Sequence, residues 1–224
     1  MFRLEAASEV IRDVFPPALT ELFAILTVLG DSTVLAGLLV AVYILGGDRD
    51  RTVTLLCYAL VAVALTVALK EGLALSRPPV AVRAITPDPG SHGFPSGHAV
   101  GATVVYGGLV IVRDRLADFR VAVPAAVLIA LIALSRVVVG VHYLGDVLAG
   151  VALGVAVLAA LYLGGGRYRR LASLVAAVIA VPGVVVTGGG TDAVVALVAS
   201  LGVFGALSVS GSAETLRSRQ FEDS

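Results

Sequence analysis

The sequence predicts an all-α, polytopic transmembrane helix bundle, and three observations carry that prediction. Of 224 residues, 58% are hydrophobic and only 14% charged, against about 25% charged in ordinary globular domains. The mean hydropathy is +0.99. The apolar residues gather into seven runs of near-spanning length, where a membrane helix needs roughly 20 residues. The expected architecture is six to seven spans.

Residues 1–18 precede the first run. Glu5, Glu9 and Asp13 interrupt them, so they lack the continuous apolar core of a signal peptide. Their alternation of charged and apolar positions before Pro16-Pro17 suits an amphipathic helix on the membrane surface or a frayed tail. The runs follow at 19–46, 52–75, 97–113, 121–139, 142–163, 170–187 and 191–210. Gly30-Asp31 inside the first is expected to tilt or break it. The sixth and seventh are short, with Pro182-Gly183 in one and Gly188 to Gly190 between them; a re-entrant hairpin is their alternative. The domain reading is a segment 1–18, a membrane-embedded core 19–164, two further C-terminal helices within 165–210, and a cytoplasmic tail 211–224.

Charge placement orients the bundle. Arg49 and Arg51, then Arg113, Arg115 and Arg120, then Arg167, Arg169 and Arg170, and finally Arg217 and Arg219 all fall on one side if seven helices are drawn. By the positive-inside rule that side is cytoplasmic. The opposite side holds the amino terminus, the loop 76–96 and the corner 139–142. Proline and glycine at 78, 79, 87, 89, 90, 93 and 95 keep that loop irregular. Net charge is zero, which gives no reason to expect a nucleic-acid partner. The single cysteine, Cys57, excludes an intrachain disulfide and a multi-cysteine metal site. Gly150 and Gly154 have the spacing of close helix packing.

The polar residues that remain are few and concentrated. Lys70, the only lysine, ends the second run, and Arg77-Pro78 follows two helical turns later. The two cations point the same way if the helix persists to Ser76. Each, taken alone, is equally a side chain that snorkels to the interface. Pro95-Ser96-Gly97-His98 opens the third run, with Ser96 as a helix cap and Gly97 giving an anion close approach to the backbone. Arg136 ends the fourth run. His142 and Asp146 are four residues apart and share a face if the fifth run is helical from its start. Asp146 then holds one ring nitrogen of His142 and leaves the other free, as a nucleophilic or basic histidine requires. Three cations, a helix amino terminus and two histidines on one face suit a dianionic phosphate. The residues alone leave open which histidine attacks.

The spacings from Lys70 to Pro78, from Pro95 to His98 and from Ser135 to Asp146 resemble the type 2 phosphatidic acid phosphatase superfamily. All three motifs occur in order without a gap or substitution. The resemblance implies that His142 is a nucleophile forming a phosphohistidine, with Asp146 as its orienting partner. It makes His98 the general acid and gives Lys70, Arg77, Ser96, Gly97 and Arg136 to the phosphate oxygens. It implies no metal and no cofactor. The function expected is a lipid phosphate phosphatase of the plasma membrane, acting on its non-cytoplasmic side on a polyprenyl pyrophosphate or a phosphatidic acid-like lipid. Its partners would be that lipid and the bilayer. A phosphotransferase with an alcohol acceptor, or a non-catalytic lipid-phosphate binder, is the alternative. His92 matches no motif, and Glu71 is a candidate ion-pair partner for Lys70. Asp31 either faces the site or caps a break, and Asp192 caps the seventh run.

Overall fold

The structure, a computed structural model, describes residues 3–87 and 91–222, with side chains up to residue 209. Pro89 and Gly90 of the proline-rich loop and the side chains of Arg217 and Arg219 lie outside the described residues. Helices form throughout, and no strand occurs among the described residues.

The amino-terminal segment is helical: α1 spans Glu5–Val14, with Glu5 in its first turn and Arg12 in its last, the signs that the helix dipole favours. Pro17 then opens α2 (Pro17–Leu26) at a first-turn position, where proline costs no hydrogen bond. Phe15 and Phe23 meet edge to face at 5.2 Å. The first apolar run is broken as expected. A 3₁₀ turn, Thr27–Gly30, separates α2 from α3 (Ser32–Leu45). Asp31 caps α3 by accepting from the Thr33 amide at 2.8 Å, which resolves its role. Gly30 is required there, because a Cβ would come within 2.5 Å of Ile132 and 3.2 Å of His98.

Asp48 caps α4 (Arg49–Leu73), which ends three residues before Ser76. Ala74 adopts a left-handed conformation with φ 47°, so Arg77 reaches its place on irregular chain and not on a helix face shared with Lys70. The third run is one helical stretch of three parts: α5 (Gly97–Ala102), a π-helical segment Thr103–Gly107, and α6 (Gly108–Val112). Next come α7 (Phe119–Val138) and α8 (Leu144–Gly164), then a 3₁₀ turn Gly165–Tyr168, then α9 (Arg169–Val186). The last helix, α10 (Thr191–Glu222), carries Asp192 in its first turn; residues 211–222, read as a tail, continue it.

Among the described residues, length and composition make four stretches able to cross a membrane: Arg49–Leu73, Phe119–Val138, Leu144–Val186 and Thr191–Val209. There are five if α1 and Pro17–Gly30, bent by 112°, count as one. Leu144–Val186 has 43 residues, about 64 Å of helix at 1.5 Å per residue, twice the hydrocarbon thickness. Its contacts show that it doubles back. Gly164 lies against Tyr58, Gly166 against Thr54, and Gly183 against Val67, so α8 descends along α4 and α9 climbs it again. Leu55, Tyr58, Val100, Val104, Val157 and Leu161 fill the central core between α4, the α5–α6 stretch and α8.

Gly150 and Gly154 bring α8 onto α5 and the π segment. A Cβ at Gly150 would sit 2.7 Å from the Ser96 carbonyl, and one at Gly154 would sit 2.6 Å from Thr103. Near the start of α8, α1 and α2 clasp the α7–α8 corner. Ile11, Phe15 and Phe23 cover Val138, Val139 and Val141. The helices α9 and α10 pack along α4, remote from that corner.

Candidate active site

Four helix ends meet at the Lys70 end of α4, and each brings one part of the site. Lys70 stands in the last turn of α4, its ammonium 3.7 Å from where a Cβ on Gly97 would lie. Gly97 therefore keeps open the space between the cation and the start of α5. Asp146 ties α5 to α8 through its backbone, its carbonyl accepting from the Ser96 amide at 3.0 Å. The charges of Arg136, His142, Lys70 and Arg77 all act on the His98 ring. Arg136, 5% exposed, ends α7 and donates to the Thr27 hydroxyl.

His142 is 1% exposed and stands in the corner between α7 and α8, two residues ahead of the helix that was expected to carry it. Its amide donates to the Arg136 carbonyl at 3.1 Å. The ring has two polar neighbours that leave it one tautomer. Nδ1 lies 2.6 Å from the Gly93 carbonyl, which can only accept; Nε2 lies 2.9 Å from the Arg77 guanidinium, which can only donate. The hydrogen is therefore inferred on Nδ1, and Nε2 presents its lone pair to Arg77. Burial is the main cause that pushes this imidazole down to about 3, while Asp146 pulls it up and Arg77 and Arg136 lower it further. The ring is thus neutral at ordinary pH, as a nucleophile must be.

Asp146 differs from its expected role as the direct holder of Nδ1. Its Oδ2 lies 3.6 Å from Nδ1, beyond hydrogen-bond range, and the Gly93 carbonyl takes that place. Asp146, fully buried, accepts from the Tyr143 amide at 2.9 Å and closes a capping box at the start of α8. Its strongest partner is Arg3, which gives it two hydrogen bonds of 2.7 Å.

The loop after α4 closes over these groups. Arg77 donates to the Ser91 hydroxyl at 2.9 Å and to the Val141 carbonyl at 3.1 Å. The Gly93 amide donates to the Leu75 carbonyl at 2.7 Å. His92 faces Glu71 at 3.7 Å, so Glu71, a candidate ion-pair partner for Lys70 from the sequence, meets the loop. Among the described residues no group of three or more His, Cys, Asp or Glu is placed to hold a metal ion.

Ser96 holds the N-cap position of α5, yet its hydroxyl makes no capping bond. It is completely buried and without a hydrogen-bond partner. Such a group costs about 1–3 kcal/mol, which is reasonable where a ligand supplies the partner. Replacing Ser96 by Ala is accordingly expected to leave the melting temperature unchanged or slightly raised while phosphate release falls. A lowered melting temperature with intact turnover would assign the hydroxyl to the fold.

Sequence reasoning missed Arg3 and Gly93. Arg3 pairs with a residue 143 positions away, and no local pattern announces such a contact. Gly93 left a trace as one glycine of the loop, without any sign that its carbonyl would be used.

The profile of the PAP2 superfamily matches residues 51–170, the interval that holds every residue of the three motifs. The chain belongs to the PAP2 superfamily. Within it the chain is 38% identical over 113 residues to decaprenylphosphoryl-5-phosphoribose phosphatase from two strains of Mycobacterium tuberculosis. That match covers 50% of this chain and 60% of those relatives. Among solved structures it is similar to a transmembrane PAP2-type phosphatidylglycerolphosphate phosphatase from Bacillus subtilis, with a TM-score of 0.62 and 30% identity. The match covers 71% of this chain and 82% of that one. Aquifex aeolicus LpxE shares the fold at a TM-score of 0.52 and 22% identity, over 69% of this chain and 93% of that one.

Proposed function

We propose that this protein is a membrane lipid phosphate phosphatase that works through a phosphohistidine on His142 and needs no metal. One observation carries the reading: a buried, neutral His142 whose tautomer leaves Nε2 as an acceptor beside Arg77, with Arg136 acting on the same ring. Arg77 lies where an incoming phosphate would sit against Nε2, so the guanidinium moves from nitrogen to phosphate oxygen when the lipid binds. The Nε2 lone pair then forms the P–N bond as the P–O bond to the lipid breaks. His98 gives its proton to the departing oxygen. Lys70, Arg77, Arg136, the Ser96 hydroxyl and the Gly97 amide hold the equatorial oxygens. As Nε2 is phosphorylated the ring becomes cationic, still hydrogen-bonded through Nδ1 to Gly93, with the Asp146 carboxylate 3.6 Å away to stabilise it. Water attacks phosphorus with His98 now as base, which releases inorganic phosphate and restores neutral His142.

The bilayer setting follows the charge pattern. With seven spans, α8 and α9 counted as two, the arginine-rich loops are cytoplasmic and the site opens on the non-cytoplasmic face of the plasma membrane. The core 19–164 carries the chemistry and the helices of 165–210 support it from the far side of α4. A phosphorylated lipid enters sideways from the leaflet, and a polyprenyl phosphate or pyrophosphate is favoured because the Mycobacterium relatives are named for a decaprenylphosphoryl substrate.

Phosphate release in detergent, with and without EDTA, tests the reading. The panel is a polyprenyl pyrophosphate, a polyprenyl phosphate, phosphatidic acid, phosphatidylglycerol phosphate and glucose 6-phosphate. Release from one lipid, unaffected by EDTA, is expected. Release that EDTA abolishes would overturn the metal-free mechanism, and phosphate transfer to an added alcohol in preference to water would make the protein a phosphotransferase.

A further inference from the structure

Arg3 lies outside every motif and outside the interval that the family profile matches, yet it is built into the centre of the site. It is 7% exposed. Its Nε and Nη2 reach the two oxygens of Asp146 at 2.7 Å each, the side-by-side geometry in which a guanidinium best orients a carboxylate. Its Nη1 donates to the Ser76 carbonyl at 2.7 Å, immediately before Arg77. Its guanidinium stacks over the Tyr143 ring at 4.6 Å, next to His142 in the chain. A Cβ on Gly93 would lie 2.8 Å from Arg3 Nη2 and 2.9 Å from the Ser76 carbonyl. The residue whose carbonyl fixes the His142 tautomer thus rests on Arg3 as well.

The backbone repeats the pattern. The Arg3 carbonyl accepts from the Gly145 amide at 2.9 Å, and the Ser8 hydroxyl accepts from the Leu144 amide at 2.8 Å. An amino-terminal segment read from sequence as surface helix or frayed tail therefore caps α8 and joins Ser76, Gly93, Tyr143 and Asp146 through one side chain.

We propose that Arg3 is a positioning residue of the phosphatase reaction: by holding Asp146 bidentate it fixes the carboxylate beside the His142 ring, 3.6 Å from Nδ1, and balances its charge. The proposal rests on the function proposed above. Without the guanidinium, Asp146 loses its fixed orientation and its charge is left uncompensated, which stabilises the imidazolium of the free enzyme. The other charged or titratable groups that act on the His142 ring are Arg77 from the loop, His98 from α5 and Arg136 from α7, so Asp146 is the acidic group against these. Arg3 is thus the counter-charge that keeps this carboxylate from raising the proton affinity of the nucleophile.

The test uses full-length protein in detergent, with kcat and KM measured across pH on the lipid that the panel selects. Arg3→Gln is expected to lower kcat by about 10- to 100-fold, the scale of a misplaced reacting group, with KM within about twofold. The acidic limb of kcat/KM should move to higher pH, a shift that loss of packing alone would not produce. Arg3→Lys should recover part of kcat, and Arg3→Gln combined with Asp146→Asn should lose no more than the worse single variant. A folded Arg3→Gln protein with wild-type kcat and pH profile would overturn the proposal. If Arg3→Gln does not fold, Arg3→Lys decides, and wild-type kcat, KM and pH profile in that variant would sink it equally. Absent phosphatase activity in the unaltered protein, or activity that survives His142→Ala, would instead defeat the phosphohistidine reading itself.

Discussion

His142→Ala is expected to reduce phosphate release by about ten-thousandfold or more, because no other group can accept the phosphoryl group at that place. The loss should appear for every lipid on the panel and should leave KM for the remaining trace activity near its original value. The methyl group cannot hold the Gly93 carbonyl, so a modest fall in melting temperature is also expected. A phosphohistidine is stable in base and labile in acid, which gives a second readout. Substrate labelled in its phosphate should leave a label of that stability on the unaltered protein during turnover, and none on the variant. Release that survives the substitution would move the nucleophile elsewhere, to His98 first.

Gly140→Ala is the second large effect, and it acts through the backbone. Gly140 has φ +73°, a conformation costing an L residue about 1–2 kcal/mol. A Cβ there would also run into the Val82 carbonyl, and overpacking of that kind costs about 1–3 kcal/mol more. That carbonyl has little freedom to retreat. Val80–Val82 is a tight 3₁₀ turn, Arg83 donates to the Pro78 carbonyl at 2.8 Å, and the Ala84 amide donates to the Val139 carbonyl at 2.9 Å. Any relief must shift the corner that delivers His142. The variant should therefore lose both stability, by about 2–5 kcal/mol on those two counts, and turnover. A folded Gly140→Ala protein of unchanged melting temperature and activity would show that the loop 80–84 yields freely.

Those residues also show what the sequence could and could not reveal. Lys70, Ser96, Gly97, Arg136 and Asp146 were legible because they stand at helix ends, where a spacing of a few residues maps directly onto a shared site. The break at Gly30-Asp31 and the packing of Gly150 and Gly154 were legible for the same local reason. Arg77 lies beside His142, but not on the helix face shared with Lys70 that the spacing suggested. Ala74 is no glycine, and nothing in its identity warned that it would leave the helix by a left-handed turn. The direct Asp146–His142 bond was predicted from their spacing along one helix, and it failed because the helix begins two residues after His142. The acceptor that replaced it, the Gly93 carbonyl, is backbone and has no side-chain signature. Arg3 was invisible because an ion pair between distant positions depends on the whole tertiary arrangement, on α1 and α2 folding back over the corner.

The Gly93 carbonyl and the Ser91 hydroxyl stand two residues apart on one short stretch of chain. That stretch therefore fixes both faces of the nucleophile's surroundings: the hydrogen on Nδ1 and the guanidinium against Nε2. On the proposed mechanism a substitution that displaced it would disarm the histidine and loosen the phosphate site in a single step.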